Sequence, residues 1–105
     1  MKIFVTDQNG KTHTLEGVAG WRVMEIIRDY GLPIKAECGG ACACATCHVY
    51  VDAEWLKRLP AMGEEEEHML ADSFYLKDNS RLSCQIIMEE SLDGLHLILA
   101  EDSKP

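Results

Sequence analysis

The sequence predicts a small mixed α+β domain. Three observations carry that expectation: short runs of strand composition, one segment with helical apolar spacing, and turn punctuation at Asn9-Gly10, at Gly31 with Pro33, and at Asp93-Gly94. At 105 residues the chain has room for one domain, 1–105, with one modest core. Its 47% hydrophobic and 27% charged residues are ordinary globular proportions rather than those of a disordered chain.

Residues 3–6 and 12–16 flank Asn9-Gly10, a pair that readily adopts positive φ, and predict a β-hairpin. Val23, Met24, Ile26, Ile27 and Tyr30 recur at helical spacing, and Gly31 and Pro33 stop that helix. Arg22 stands where a capping Ser or Thr is expected, so the helix start is weakly signalled. Residues 36–47 have no hydrophobic period and almost no bulk, which predicts a compact loop. Residues 48–51 have strand composition, 55–59 suit a short helical turn ended by Pro60, and 64–75 predict a helix. In that helix Met69, Leu70, Phe74 and Leu76 are expected to face inward. Residues 84–88 and 95–99 read as two further strands, and there is no internal repeat or linker.

Charge is unevenly placed. Residues 1–59 hold 7 acidic and 7 basic side chains, whereas 60–105 hold 11 acidic and 3 basic, so the second part carries the whole net charge of −8. Such a chain lacks the Lys and Arg needed to neutralise a nucleic-acid backbone, which excludes that partner class. The apolar run at residues 3–5 is too short for a signal h-region, and no apolar stretch approaches the ~20 residues that span a bilayer. The expectation is a cytoplasmic protein without membrane insertion, whose thiols stay reduced unless something binds them.

The informative feature is the cysteine spacing. Cys38, Cys44 and Cys47 form C-x5-C-x2-C among tiny residues, and 36 residues separate Cys47 from Cys84. Four thiolates from one tight loop and one distant element can surround a metal centre of more than one atom. Gly39, Gly40, Ala41, Ala43 and Ala45 let backbone N–H groups approach sulfide and thiolate acceptors closely. Two ferric ions, two sulfides and four thiolates sum to −2, and uptake of one electron gives −3, the arithmetic of a one-electron carrier.

Rival readings use the same cysteines. Structural zinc favours two short knuckles and only one C-x2-C is present. A thioredoxin-type pair at Cys44 and Cys47 would open a helix, but a strand composition follows. Cys44-Ala-Thr-Cys47-His48 also matches the c-type haem attachment pattern, which leaves Cys38, Cys42 and Cys84 unexplained. A Rieske centre needs two histidine ligands in C-x-H pairs, and no cysteine begins one. The spacing favours a thiolate-ligated two-iron cluster held by Cys38, Cys44, Cys47 and Cys84. Cys42 is left as a small buried filler or as a spare thiol for cluster assembly.

With these residues in view the chain resembles the [2Fe-2S] ferredoxins of the adrenodoxin and putidaredoxin type (vertebrate-type). The resemblance is carried by Cys38-Gly39-Gly40, by Cys44-Ala45-Thr46-Cys47-His48-Val49-Tyr50-Val51, by the run from Asn79 to Met88, and by Leu92-Asp93-Gly94. It implies a β-grasp (ubiquitin-like) fold, with a mixed sheet, one packed main helix and a cluster-binding loop. It also implies single-electron shuttling rather than enzyme activity, with one [2Fe-2S] cluster per chain. Members of this family take electrons from an NAD(P)H-dependent flavoprotein ferredoxin reductase and pass them to a cytochrome P-450 monooxygenase. They do so as monomers in transient complexes. A cysteine at position 42 and the run from Ser80 to Gln85 also resemble the branch serving iron–sulfur cluster assembly, which is the alternative role; a structural zinc domain is the alternative of another class.

Glu64, Glu65, Glu66 and Glu67 precede Met69-Leu70, with Asp72 a turn later. Carboxylates at a helix start favour the positive end of its dipole, and a bare solvated helix start is one reading. The family uses an acidic helix here for both partners, so the resemblance implies docking through Glu64, Glu65, Glu67 and Asp72. His48 follows a ligand position and is expected to tie the cluster loop to the core. The putidaredoxin-like members of the resembled family end in an aromatic residue used in partner contact, whereas this chain ends Ser103-Lys104-Pro105, and it has Ala100 where many members have proline after the last strand.

Overall fold

The computed structural model describes residues 1–35, 47–71 and 73–104. Strands β1 (Lys2–Thr6) and β2 (Thr12–Glu16) form the expected antiparallel hairpin, with Ile3 opposite Leu15 and Val5 opposite His13. Its turn is longer than a two-residue loop and is organised by Asp7. The Asp7 carboxylate accepts from the N–H groups of Asn9 (2.9 Å) and Lys11 (3.0 Å), and Gly10 takes φ +86°.

Helix α1 (Val23–Asp29) buries Val23, Met24, Ile26 and Ile27, the stripe that its spacing marked, while Tyr30 lies beyond the helix and is half exposed. The missing Ser or Thr cap is compensated from inside: the Arg22 N–H donates to Glu25 Oε1 at 2.9 Å. Strand β3 (His48–Val51) is buried throughout, and the short helix α2 (Ala53–Leu56) starts two residues earlier than the sequence suggests. Asp52 explains the shift, since its carboxylate accepts from Glu54 N–H and caps the helix.

Helix α3 (Glu64–Ala71) is shorter than expected, and Phe74 and Leu76 do not face inward. Phe74 is fully exposed and Leu76 half exposed. The Ser73 N–H closes a tight turn on Leu70 O (3.0 Å), and the Ser73 hydroxyl is captured by Asp102. The chain therefore leaves the helix before residue 74 can complete the apolar stripe. The expected strand over 84–88 is likewise displaced: β4 is Ser80–Leu82, and Cys84 lies in the 3-10 turn that follows (Ser83–Gln85). Only Ile87 of that segment pairs, in an isolated bridge with Arg22.

Strand β5 (Leu95–Leu99) alternates as its sequence does, burying Leu95, Leu97 and Leu99 and exposing Ile98. It enters the sheet centre, parallel to β1 and antiparallel to β3, giving the order β2-β1-β5-β3-β4. This is the mixed sheet with one main helix that a β-grasp fold requires. Leu95, Leu97 and Leu99 join Ile3, Val5, Leu15, Val49, Val51, Leu82 and the α1 stripe in one buried core.

Candidate metal centre

Cys47 and Cys84 are the two proposed ligands that the structure places, and both are buried. Cys38, Cys44 and the spare Cys42 lie in residues 36–46, outside the described residues. The β3–β4 ladder brings its two cysteines to one end. Its last pair is His48 with Leu82, so Cys47 precedes the ladder on one strand while Cys84 follows it by two residues on the other. Ser83 fastens the join, donating both its N–H (2.9 Å) and its hydroxyl (2.8 Å) to Cys47 O. Downstream, the Ile86 carbonyl accepts from Val23 N–H (2.8 Å) and Met88 N–H donates to Trp21 O (2.8 Å). Cys84 is thus anchored on one side to the sheet and on the other to the approach of α1.

Two buried soft donors, held by backbone bonds at one end of the β3–β4 ladder, fit a thiolate-ligated cluster. Gln85 Nε2 lies 3.6 Å from Cys84 Sγ, a donor of the sort that stabilises thiolate charge. Among the described residues no group of three or more metal-ligating side chains occurs.

His48 is wholly buried and doubly bonded. Its Nδ1 lies 2.8 Å from Asp102 Oδ1 and its Nε2 lies 2.7 Å from Ser80 Oγ. Burial holds its pKa below the usual histidine value, against the opposing pull of the Asp102 carboxylate. An ionised carboxylate only accepts, so a neutral His48 carries its proton on Nδ1, and Ser80 Oγ–H must donate to Nε2. Ser80 Oγ in turn accepts from Lys77 N–H at 2.8 Å. Beside it, the Tyr50 hydroxyl donates to Tyr75 O, and burial pushes the Tyr50 pKa up. His48 is thus a buried histidine with both ring nitrogens satisfied, one of them by Asp102, a partner that the sequence did not mark; the loop it was expected to tie down lies outside the described residues.

The acidic helix divides by face. Glu64, Glu65 and Glu67 are exposed, and Asp72 lies outside the described residues. Glu66 points inward, one turn before the buried Leu70, and pairs with Arg81. Glu66 Oε2 accepts from Arg81 Nε (2.7 Å) and from Leu82 N–H (2.8 Å), so α3 is bonded directly to the strand leading to Cys84. The i, i+4 spacing of Glu66 to Leu70 was the available sign that one acid of the run belongs to the inner face.

A family model described as "2Fe-2S iron-sulfur cluster binding domain" matches residues 6–89. Rhodocoxin from Rhodococcus erythropolis is 43% identical over 96 residues, covering 90% of each chain. The crystal structure of a reduced putidaredoxin variant from Pseudomonas putida superposes with a TM-score of 0.93 at 36% identity, covering 98% of this chain and 99% of that one. Putidaredoxin in its covalent complex with putidaredoxin reductase gives 0.91 at 38% identity, covering 95% and 98%. No helix among the described residues is long and apolar enough to cross a membrane.

Proposed function

The chain belongs to the [2Fe-2S] ferredoxins of putidaredoxin and adrenodoxin type, electron-transfer proteins with one cluster each, and on that premise we propose a division of labour among its residues. Cys38, Cys44, Cys47 and Cys84 hold the cluster within one domain, 1–105. When bound, it supplies storage for a single electron. Glu64, Glu65, Glu67 and Asp72 form an acidic face that steers a cationic partner to a small, transient interface. Electrons arrive from an NAD(P)H-dependent flavoprotein ferredoxin reductase and leave to a cytochrome P-450 monooxygenase, in the cytoplasm.

The observation that carries this reading is the burial of Cys47 and Cys84 at the same end of the β3–β4 ladder, with the acidic helix bonded to that ladder through Glu66 and Arg81. The covalent complex of putidaredoxin with putidaredoxin reductase supports a reductase as the electron donor. The chain's own residues supply the rest. Burial around Cys47 and Cys84 excludes water and lowers the local dielectric, and the Ser83 bonds fix the ligand backbone so that little reorganises when charge arrives.

The test is reconstitution with purified flavoprotein reductase, NAD(P)H and a bacterial P-450 with its substrate. The expected result is bleaching of the cluster absorption by the reductase, followed by turnover that depends on this protein. Reduction without monooxygenase turnover, together with stimulation of cluster assembly on a scaffold by the reduced protein, would place it in the assembly role instead.

A further inference from the structure

The segment after β5 is bonded to the chain on both sides of the cysteine-containing stretch 36–47. Ala100 N–H donates to His48 O (3.1 Å), and Lys35 N–H donates to Ser103 O (2.7 Å). Gln8 Nε2 reinforces the strap, reaching Pro33 O (2.9 Å) and Ser103 Oγ (3.2 Å). Lys35 and His48 flank in sequence the stretch that contains Cys38, Cys44 and Cys47, so the turn at Glu101–Ser103 ties together the described residues on its two sides.

Asp102 occupies the middle of the strap, with its side chain only 21% exposed. Its two oxygens do different things. Oδ1 accepts from the fully buried His48, and Oδ2 accepts from the Ser73 hydroxyl just past α3. Ser73 Oγ is itself oriented by Tyr75 N–H at 3.1 Å. One carboxylate is therefore fixed by two donors, directly behind the residue that follows Cys47. Its negative charge is preorganised toward the ring it binds and is weakly screened there, because that ring sees no water.

We propose that Asp102 is a positioning residue for electron transfer: through His48 it fixes a negative charge behind Cys47 and thereby holds the reduction potential down. The inference rests on the reading of Cys47 as a ligand. Reduction adds one electron to the cluster with no bond made or broken, and the reductase supplies that electron. The added charge is opposed by any like charge fixed nearby in a low dielectric. A carboxylate that merely stapled the C-terminus would affect stability and leave the potential alone.

The experiment is an equilibrium redox titration of the cluster-loaded protein and of Asp102→Asn, Asp102→Glu and Ser73→Ala, with thermal unfolding in parallel. Asp102→Asn is expected to favour reduction several-fold, tenfold corresponding to about 59 mV for one electron. Asp102→Glu keeps the charge and is expected within about twofold of wild type. Ser73→Ala loosens the same strap without removing charge; it should lower the unfolding temperature and move the potential by less than about twofold. Asp102→Ser serves as the second neutral variant if Asp102→Asn does not fold with its cluster. The proposal is overturned if the neutral variants stay within about twofold of wild type, or if Ser73→Ala moves the potential as far as they do. Retention of normal visible absorption by Cys47→Ala would overturn the ligand reading beneath it, and the proposal with it, by a signal independent of the potential.

Discussion

Replacing Glu66 by Ala removes the bond between the acidic helix and the strand that leads to Cys84. Glu66 is 3% exposed and Arg81 5%, so neither charge can turn to water without opening the fold. Three contacts vanish with the carboxylate: Arg81 Nε at 2.7 Å, Arg81 Nη2 at 3.3 Å and Leu82 N–H at 2.8 Å. Hydrogen bonds to a charged group contribute about 1.5–3 kcal/mol each, and they are not additive. The larger effect is on the guanidinium, which among the described residues keeps only Pro60 O as an acceptor, at 3.0 Å. Breaking a buried pair by deleting one partner costs about 3–5 kcal/mol because a buried charge is left uncompensated. For a domain of this size about 1 kcal/mol moves the unfolding midpoint by roughly 4–8 °C, so Glu66→Ala should lose at least about 12 °C. The assay is thermal unfolding followed both by far-ultraviolet circular dichroism and by visible cluster absorption. The double variant Glu66→Leu with Arg81→Met, which leaves no orphaned charge, should recover most of the loss. A drop below about 4 °C for Glu66→Ala would refute the reasoning, because that is the behaviour of a solvent-exposed pair.

Acid should loosen the β1–β2 turn through Asp7. The His13 ring, the Lys11 N–H and the Asn9 N–H hold its carboxyl below the usual 3.8. The unfolded chain then takes up the proton first, so the contribution is complete above about pH 5 and lost as pH falls through the lower folded value. Asp7→Asn should lower the melting temperature at neutral pH and flatten its acid limb; an unchanged acid limb contradicts this. Electron transfer from the reductase should slow as salt is raised, since the Debye length falls from about 8 Å at physiological ionic strength to about 3 Å at 1 M. Glu65→Gln and Glu67→Gln should reduce the low-salt rate and its salt slope, and a salt-independent wild-type rate would remove the docking role of this face.

Local patterning made part of this molecule legible. The β1–β2 hairpin, the apolar stripe of α1 and the alternation of Leu95, Leu97 and Leu99 are short-range signals, and each element appears where its period places it. The cysteine spacing pointed to the [2Fe-2S] chemistry of the family for the same reason, because ligand type and small-residue composition are readable residue by residue. What escaped depends on distant partners. No periodicity shows that β5 inserts between β1 and β3, or that Asp102 meets His48 across 54 positions of sequence. Phe74 looked apolar enough to be inside, but the Ser73–Asp102 contact ends the helical course first. Glu66 was hidden by its neighbours, since a run of four acids reads as uniformly solvated until Arg81 is found behind it.

Single Cys→Ser replacements at all five cysteines test the ligand set, with iron, acid-labile sulfide and visible absorption measured per chain. Cys38→Ser, Cys44→Ser, Cys47→Ser and Cys84→Ser are each expected to lose or grossly alter the cluster, whereas Cys42→Ser should keep two irons, two sulfides and the wild-type spectrum. Loss of the cluster in Cys42→Ser, or a wild-type spectrum in any of the other four, would contradict that ligand set.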